Sequence, residues 1–148
     1  MPRKSGNGWS APATVRAEGG SFGLQLGASE TDVIMLVMNE RGADKLMSSK
    51  FTLGGTAQAA GGPVGRTATA DTDLLMHAEI LSYSKARGVF AGISLQGATL
   101  REDLNANKEL YGQRLTTKEI VRDTKIKPPS DGEKLILLLS RFSPKEMN

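Results

Sequence analysis

Ile80-Leu81-Ser82-Tyr83-Ser84-Lys85-Ala86-Arg87-Gly88-Val89-Phe90-Ala91-Gly92-Ile93-Ser94-Leu95-Gln96-Gly97 is the stretch on which the fold turns. Two apolar-rich runs, 78–84 and 89–96, flank the connection Lys85-Ala86-Arg87-Gly88. In the second run Val89, Ala91, Ile93 and Leu95 recur at every other position, the period of a strand with one face turned inward. Two such runs joined by a short, Gly-containing connection mark a β-hairpin.

The same alternation extends upstream. In Ser21-Phe22-Gly23-Leu24-Gln25-Leu26-Gly27 the residues Phe22, Leu24 and Leu26 share a face. Val33-Ile34-Met35-Leu36-Val37-Met38 is apolar on both faces and fits a central strand. Asn39 can cap a short helix over 40–48, with Ala43, Leu46 and Met47 on one side. The stretch 54–65 holds small residues only, and reads either as a long loop or as a flat strand that another backbone approaches closely. Polar helical stretches follow near 102–111 and 116–122. After Pro128-Pro129 a last helix is predicted over 133–142, where Leu135, Leu138, Leu139 and Phe142 have the spacing that docks a helix on a core.

These readings add up to an α+β fold. One β-rich domain over 1–148 is expected, a bent antiparallel sheet or partial barrel of strands near 14–17, 21–27, 32–38, 78–84 and 89–97. A few short helices and a C-terminal helix complete it. Glycines at 20, 23, 27, 88, 92 and 97 permit the bending, because Gly has no Cβ to clash at a tight corner. Gly23–Gly27 echoes Gly92–Gly97, but two short strands do not make a repeat.

Composition narrows the function. The 148 residues are 39% apolar and 5% aromatic, with 17 Gly and no Cys. Without Cys there is no disulfide, thiolate metal site or thiol nucleophile, and no indication of compartment. No apolar run approaches the roughly 18 residues of a helical membrane span, so a membrane partner would be met peripherally. Met1-Pro2-Arg3-Lys4-Ser5-Gly6-Asn7-Gly8 lacks the apolar stretch of a signal peptide. The formal net charge is +3. Arg114, Lys118, Arg122, Lys125 and Lys127 set against Glu119 and Asp123 account for the same excess within 114–127. That patch could meet an anionic surface or simply be a solvated face.

Catalytic patterns fail their context tests. Gly19-Gly20-Ser21-Phe22-Gly23 matches G-x-S-x-G, and Asp71, Asp73 and His77 follow in hydrolase order. A nucleophile elbow, however, needs a helix after its Ser, and Ser21 opens a strand-like run. His77 is the lone histidine and has no carboxylate at ligating spacing, so no metal is expected. Gly54–Gly65 lacks the Gly-Lys-Ser/Thr of a phosphate loop. Asp103-Leu104-Asn105-Ala106-Asn107 begins like a calcium loop but has Lys108 where Gly is required and Arg114 where a bidentate Glu is required. A better reading places Asp103, Asn107 and Tyr111 on one helix face, a hydrogen-bonding staple ended by Gly112. The basic residues are not interleaved with exposed aromatics, and most of the four Phe are read on core faces, so no nucleic acid partner is expected.

In collinear order the chain resembles the SYLF domain, a family of lipid-binding modules found in bacteria and, in eukaryotes, beside SH3 or FYVE domains in actin-regulating and phosphoinositide-binding proteins. The resemblance rests on Gly8–Ala13, Gly19–Gly27 and Glu30-Thr31-Asp32 leading into the strand that ends Met38-Asn39. Phe51–Gly54, Ala60–Arg66, Ile80–Gly97, Asp103, Asn107 and Tyr111-Gly112 continue it, covering about residues 8–142. Family members carry a further segment before the Gly-Asn-Gly-Trp region, the part linked to membrane insertion and actin binding. This chain begins just after it, so the resemblance implies a domain short of that segment, with an exposed sheet edge.

What the resemblance implies is a non-catalytic module without cofactor that recognises anionic or phosphoinositide headgroups at a membrane surface. Its alternative is a protein-interaction module contacting actin or a scaffold partner. It assigns no headgroup contacts residue by residue. The candidates from charge are Lys85 and Arg87 at the hairpin tip, and Arg114, Lys118 and Arg122 downstream. A tight turn projects side chains outward from a rigid base, which favours the tip; keeping an exposed turn soluble would explain the same two charges.

Overall fold

The computed structural model describes residues 1–2, 8–18, 31–65, 77–123 and 125–144. In chain order these form β1 (Val15–Glu18), β2 (Thr31–Val37), α1 (Glu40–Leu46), β3 (Lys50–Thr52), β4 (Ala59–Gly61), β5 (Ile80–Ala86), β6 (Val89–Gly92), β7 (Thr99–Glu102), α2 (Leu104–Tyr111), α3 (Thr117–Arg122) and α4 (Ser130–Phe142). Sheets and helices make an α+β fold. The chain divides into two compact units, residues 16–101 and residues 1–15 with 102–148. The expected strand 21–27, with Ser21, and the residues Asp71 and Asp73 lie outside the described residues.

In the 16–101 unit β5 is the central strand, and its first four residues, Ile80-Leu81-Ser82-Tyr83, are all buried. One edge pairs antiparallel with β2 along its whole length, from Thr31↔Ala86 to Val37↔Ile80. The other edge is shared end to end. The parallel strand β4 takes Ile80–Ser82, and the antiparallel strand β6 takes Tyr83–Ala86. At the junction the Ser82 carbonyl accepts from both Gly62 N (2.9 Å) and Ile93 N (3.1 Å).

Alternation then sorts side chains into two clusters. Ile80 and Ala59 join Phe51, Leu53, Leu95 and Leu100, with Val33, Met35 and Ile93 packed against them. Leu81, Tyr83 and Ala60 face the other way, with Ala78 and Val64. A second sheet has the order β1-β7-β3, with Phe51 opposite Leu100 in antiparallel register. Asn39 caps α1 as its position predicts, its side chain accepting from Gly42 N at 2.9 Å.

In the other unit the predicted staple forms. Asp103 caps α2 by accepting from Ala106 N at 3.0 Å. Asn107, fully buried, accepts from Thr14 N (2.9 Å) and from the Thr14 hydroxyl (2.6 Å), and donates to Leu115 O at 3.0 Å. The Tyr111 hydroxyl donates to Pro12 O. Gly112 ends the helix in the left-handed conformation (φ 72°), which favours Gly.

Several expectations are corrected. The sheet is mixed rather than antiparallel, because β4 runs parallel to β5. The strand expected over 89–97 stops at Gly92, since β4 already occupies the remaining edge of β5. The turn is Arg87-Gly88 alone, for Ala86 pairs with Val89. Of the two readings of the small-residue stretch 54–65, the flat strand forms, as β4, with the close backbone approach. The last helix begins at Ser130 and buries none of its residues. Its half-buried side is Gly132, Ile136 and Leu139, while Leu135, Leu138 and Phe142 are exposed. Of the four Phe, Phe51 is core, Phe90 and Phe142 are exposed, and Phe22 lies outside the described residues.

Candidate binding surfaces

The β5–β6 hairpin ends in Arg87 (φ 49°) and Gly88 (φ 79°). Positive φ at both central residues is the mark of a type I′ turn, whose twist matches the flanking strands. Lys85 and Arg87 are both exposed at this tip. Val89 is 67% exposed and Phe90 44%, so two apolar side chains accompany the two cations. Lys85 stands directly opposite Phe90, and the Phe90 ring stacks on Tyr83 at 4.9 Å between centroids. Tyr83 in turn donates to Pro63 O at 3.2 Å. The tip therefore stands on a packed aromatic base. The exposure of Phe90 is legible in hindsight, because it falls out of phase with Val89, Ala91, Ile93 and Leu95.

The downstream cations lie in the other unit. Thr116 caps α3 by accepting from Glu119 N at 3.2 Å, which sets Lys118 and Arg122 one turn apart. Both border an open concavity of about 640 Å³, with Leu115 and Ile126 in its walls. Glu119 and Asp123 line it too, so its charge is balanced. Arg114 is exposed and is not among its lining residues. Lys118 and Arg122 are thus brought together, and Arg114 stands apart from that concavity.

His77 is exposed. Among the described residues no three His, Asp or Glu gather where a metal could sit, and no helix is long and apolar enough to cross a membrane. Burial raises the Tyr111 phenol above its ordinary value, consistent with a hydroxyl held as a donor in the staple. Sequence reasoning missed a third surface, the outward side of α4. There Leu137 is 69% and Phe142 73% exposed, with Lys134 and Arg141 also exposed.

Two sheets, four helices among the described residues and solvent-facing apolar and basic side chains define an α+β module that offers surfaces. The chain belongs to the family described as Ysc84, Las17-binding protein actin regulator, which matches residues 18–142 and is the SYLF domain of the sequence reading. It is similar to SH3 domain-containing YSC84-like protein 1 of Xenopus laevis, at 32% identity over 98% of this chain and 44% of the relative. Protein YSC84 of Saccharomyces cerevisiae is 32% identical over 90% of this chain and 29% of its own length. LAS seventeen-binding protein 3 of the same yeast is 34% identical over 88% and 29%. The chain therefore spans less than half the length of these relatives. No solved structure matches it.

Proposed function

We propose that this chain is a non-catalytic protein-interaction module of actin regulation, contacting actin or a scaffold partner of the Las17 type. The observation that carries this reading is the family match over residues 18–142, which covers nearly all of one compact unit and most of the other. Exposed apolar side chains on the β5–β6 hairpin and on α4 support it, since clustered exposed apolar groups are where protein partners dock. Co-sedimentation with actin filaments tests it: the chain should enter the filament pellet and saturate. A chain that stays in the supernatant, and also fails to bind an immobilised Las17-type scaffold, would sink the proposal.

A second reading is favoured by one feature, the pairing of Lys85 and Arg87 with exposed Val89 and Phe90. Such a tip suits an anionic bilayer, where apolar groups enter the interface and cations meet phosphoinositide headgroups. Each cation near such a surface contributes about 1 kcal/mol, so two give weak, salt-sensitive binding. Lys85→Glu with Arg87→Glu should abolish co-sedimentation with phosphoinositide vesicles at low salt. Loss instead on reversing Arg114, Lys118 and Arg122 would move the site to α3.

A further inference from the structure

Resting on the protein-interaction reading, we propose that the outward face of α4 docks an amphipathic helix whose apolar side is bordered by carboxylates. Leu135, Leu138 and Phe142, spaced by three and four, form one stripe along the helix. All three are exposed, while Gly132, Ile136 and Leu139 on the neighbouring sector are half-buried. Gly132 sits close to Pro12, since a Cβ there would lie 3.0 Å from the proline ring. The apolar stripe is thus turned away from the side of α4 that packs.

Charge identifies the occupant. Lys134 and Arg141, seven residues apart, run along the border of the stripe opposite Leu139. Beyond them lies Leu137, the second most exposed large apolar residue of the helix after Phe142. The two cations are therefore embedded in apolar surface rather than gathered on a polar face. Arg141 is held there, its guanidinium 5.1 Å from the centre of the Phe142 ring. A partner helix that covers the stripe brings its own flank against Lys134 and Arg141, and carboxylates on that flank complete the match. Two copies of α4 would set these cations against each other. Asp131, one turn before Leu135 on the same stripe, would be pressed into an anionic bilayer. On a protein partner it meets a single base.

The test uses two synthetic amphipathic peptides with the same leucine stripe, one bordered by Glu and one by Lys, titrated into the whole chain by fluorescence anisotropy. The Glu-bordered peptide should bind at least about tenfold tighter, with the difference shrinking as salt rises. Lys134→Glu with Arg141→Glu should reverse the preference. Leu138→Asp with Phe142→Asp should abolish binding of both peptides while the chain stays folded, its melting temperature falling by no more than a few degrees, because Phe142 is 73% and Leu138 42% exposed. Equal affinity for the two peptides, or a preference untouched by the charge reversal, overturns the proposal. So does self-association, or binding to phosphatidylserine vesicles, that is lost in the Leu138→Asp, Phe142→Asp variant. Filament co-sedimentation of the same variants separates the two readings. Peptide failure with filament binding intact removes only the α4 assignment. Peptide discrimination without filament binding removes only the actin reading.

Discussion

Gly92 and Gly62 meet backbone to backbone: a Cβ on Gly92 would fall 2.0 Å from the Gly62 carbonyl oxygen. This is where β4 and β6 meet on the shared edge of β5. The obstacle is main chain and cannot rotate aside, so Gly92→Ala should cost about 3 kcal/mol, the upper end of overpacking penalties. Gly88→Ala has open space around it but a φ of +79°, and should cost only about 1 kcal/mol of left-handed strain. Urea unfolding of the two variants checks the order. Equal tolerance at both positions would mean that the junction is looser than this contact requires.

Asn107 holds the smaller unit by three hydrogen bonds, to Thr14 N, the Thr14 hydroxyl and Leu115 O. Asn107→Ala leaves the partners without their amide in a site with no solvent exposure. Each buried group left unsatisfied costs about 1–3 kcal/mol, so a loss of about 3 kcal/mol or more is expected. Asn107→Asp should also be harmful, because a carboxylate cannot donate to Leu115 O. Thermal melts of both variants provide the measurement, and a change within about 0.5 kcal/mol would show the staple to be dispensable.

The Tyr111 phenol is raised by burial in the folded state. Its unfolded value is about 10, so above that pH the unfolded chain releases a proton that the folded chain retains. Stability is fully present below the unfolded value and falls as pH rises from there towards the folded one. Tyr111→Phe removes this contribution together with the bond to Pro12 O. The variant should be less stable at neutral pH, yet lose less stability than the parent between about pH 9 and 11. Parallel pH slopes for the two proteins would refute the assignment.

How much of this was readable beforehand depends on what periodicity can report. β5 and β6 announce themselves because alternation and a Gly turn are local signals. The row Asp103, Asn107, Tyr111 is legible because i, i+4 spacing fixes a helix face. The strands β3 and β7 are not, and β7 carries a single apolar residue, Leu100. β4 is legible only as one of two readings of 54–65, because Ala59-Ala60-Gly61 has no polar–apolar contrast. Nor can periodicity say what covers a face. Leu135, Leu138 and Phe142 have the spacing of a docked helix, and the structure leaves them in solvent. For the same reason Lys85 and Arg87 were foreseeable as surface cations, whereas Lys134 and Arg141 were not foreseeable as the border of an exposed apolar stripe.

Arg87 occupies a position that type I′ turns reserve for Asn, Asp or Gly, with φ 49° on a residue that carries a full side chain. A Cβ in the left-handed region costs about 1 kcal/mol, and Asn tolerates it better. Arg87→Asn, which makes the turn Asn-Gly, should therefore stabilise the chain by about 0.5–1 kcal/mol. If the tip merely keeps a turn soluble, nothing else changes. If it meets anionic headgroups, the same variant loses one cation worth about 1 kcal/mol at the surface, and vesicle binding weakens several-fold while stability rises. Chemical unfolding and vesicle co-sedimentation on one preparation give both readouts. Arg87→Lys is the control: it keeps the charge and the strain, and should match the parent in both. A more stable Arg87→Asn variant with unaltered vesicle binding would remove Arg87 from the headgroup site. A less stable one would show that this residue is held by contacts other than the turn geometry.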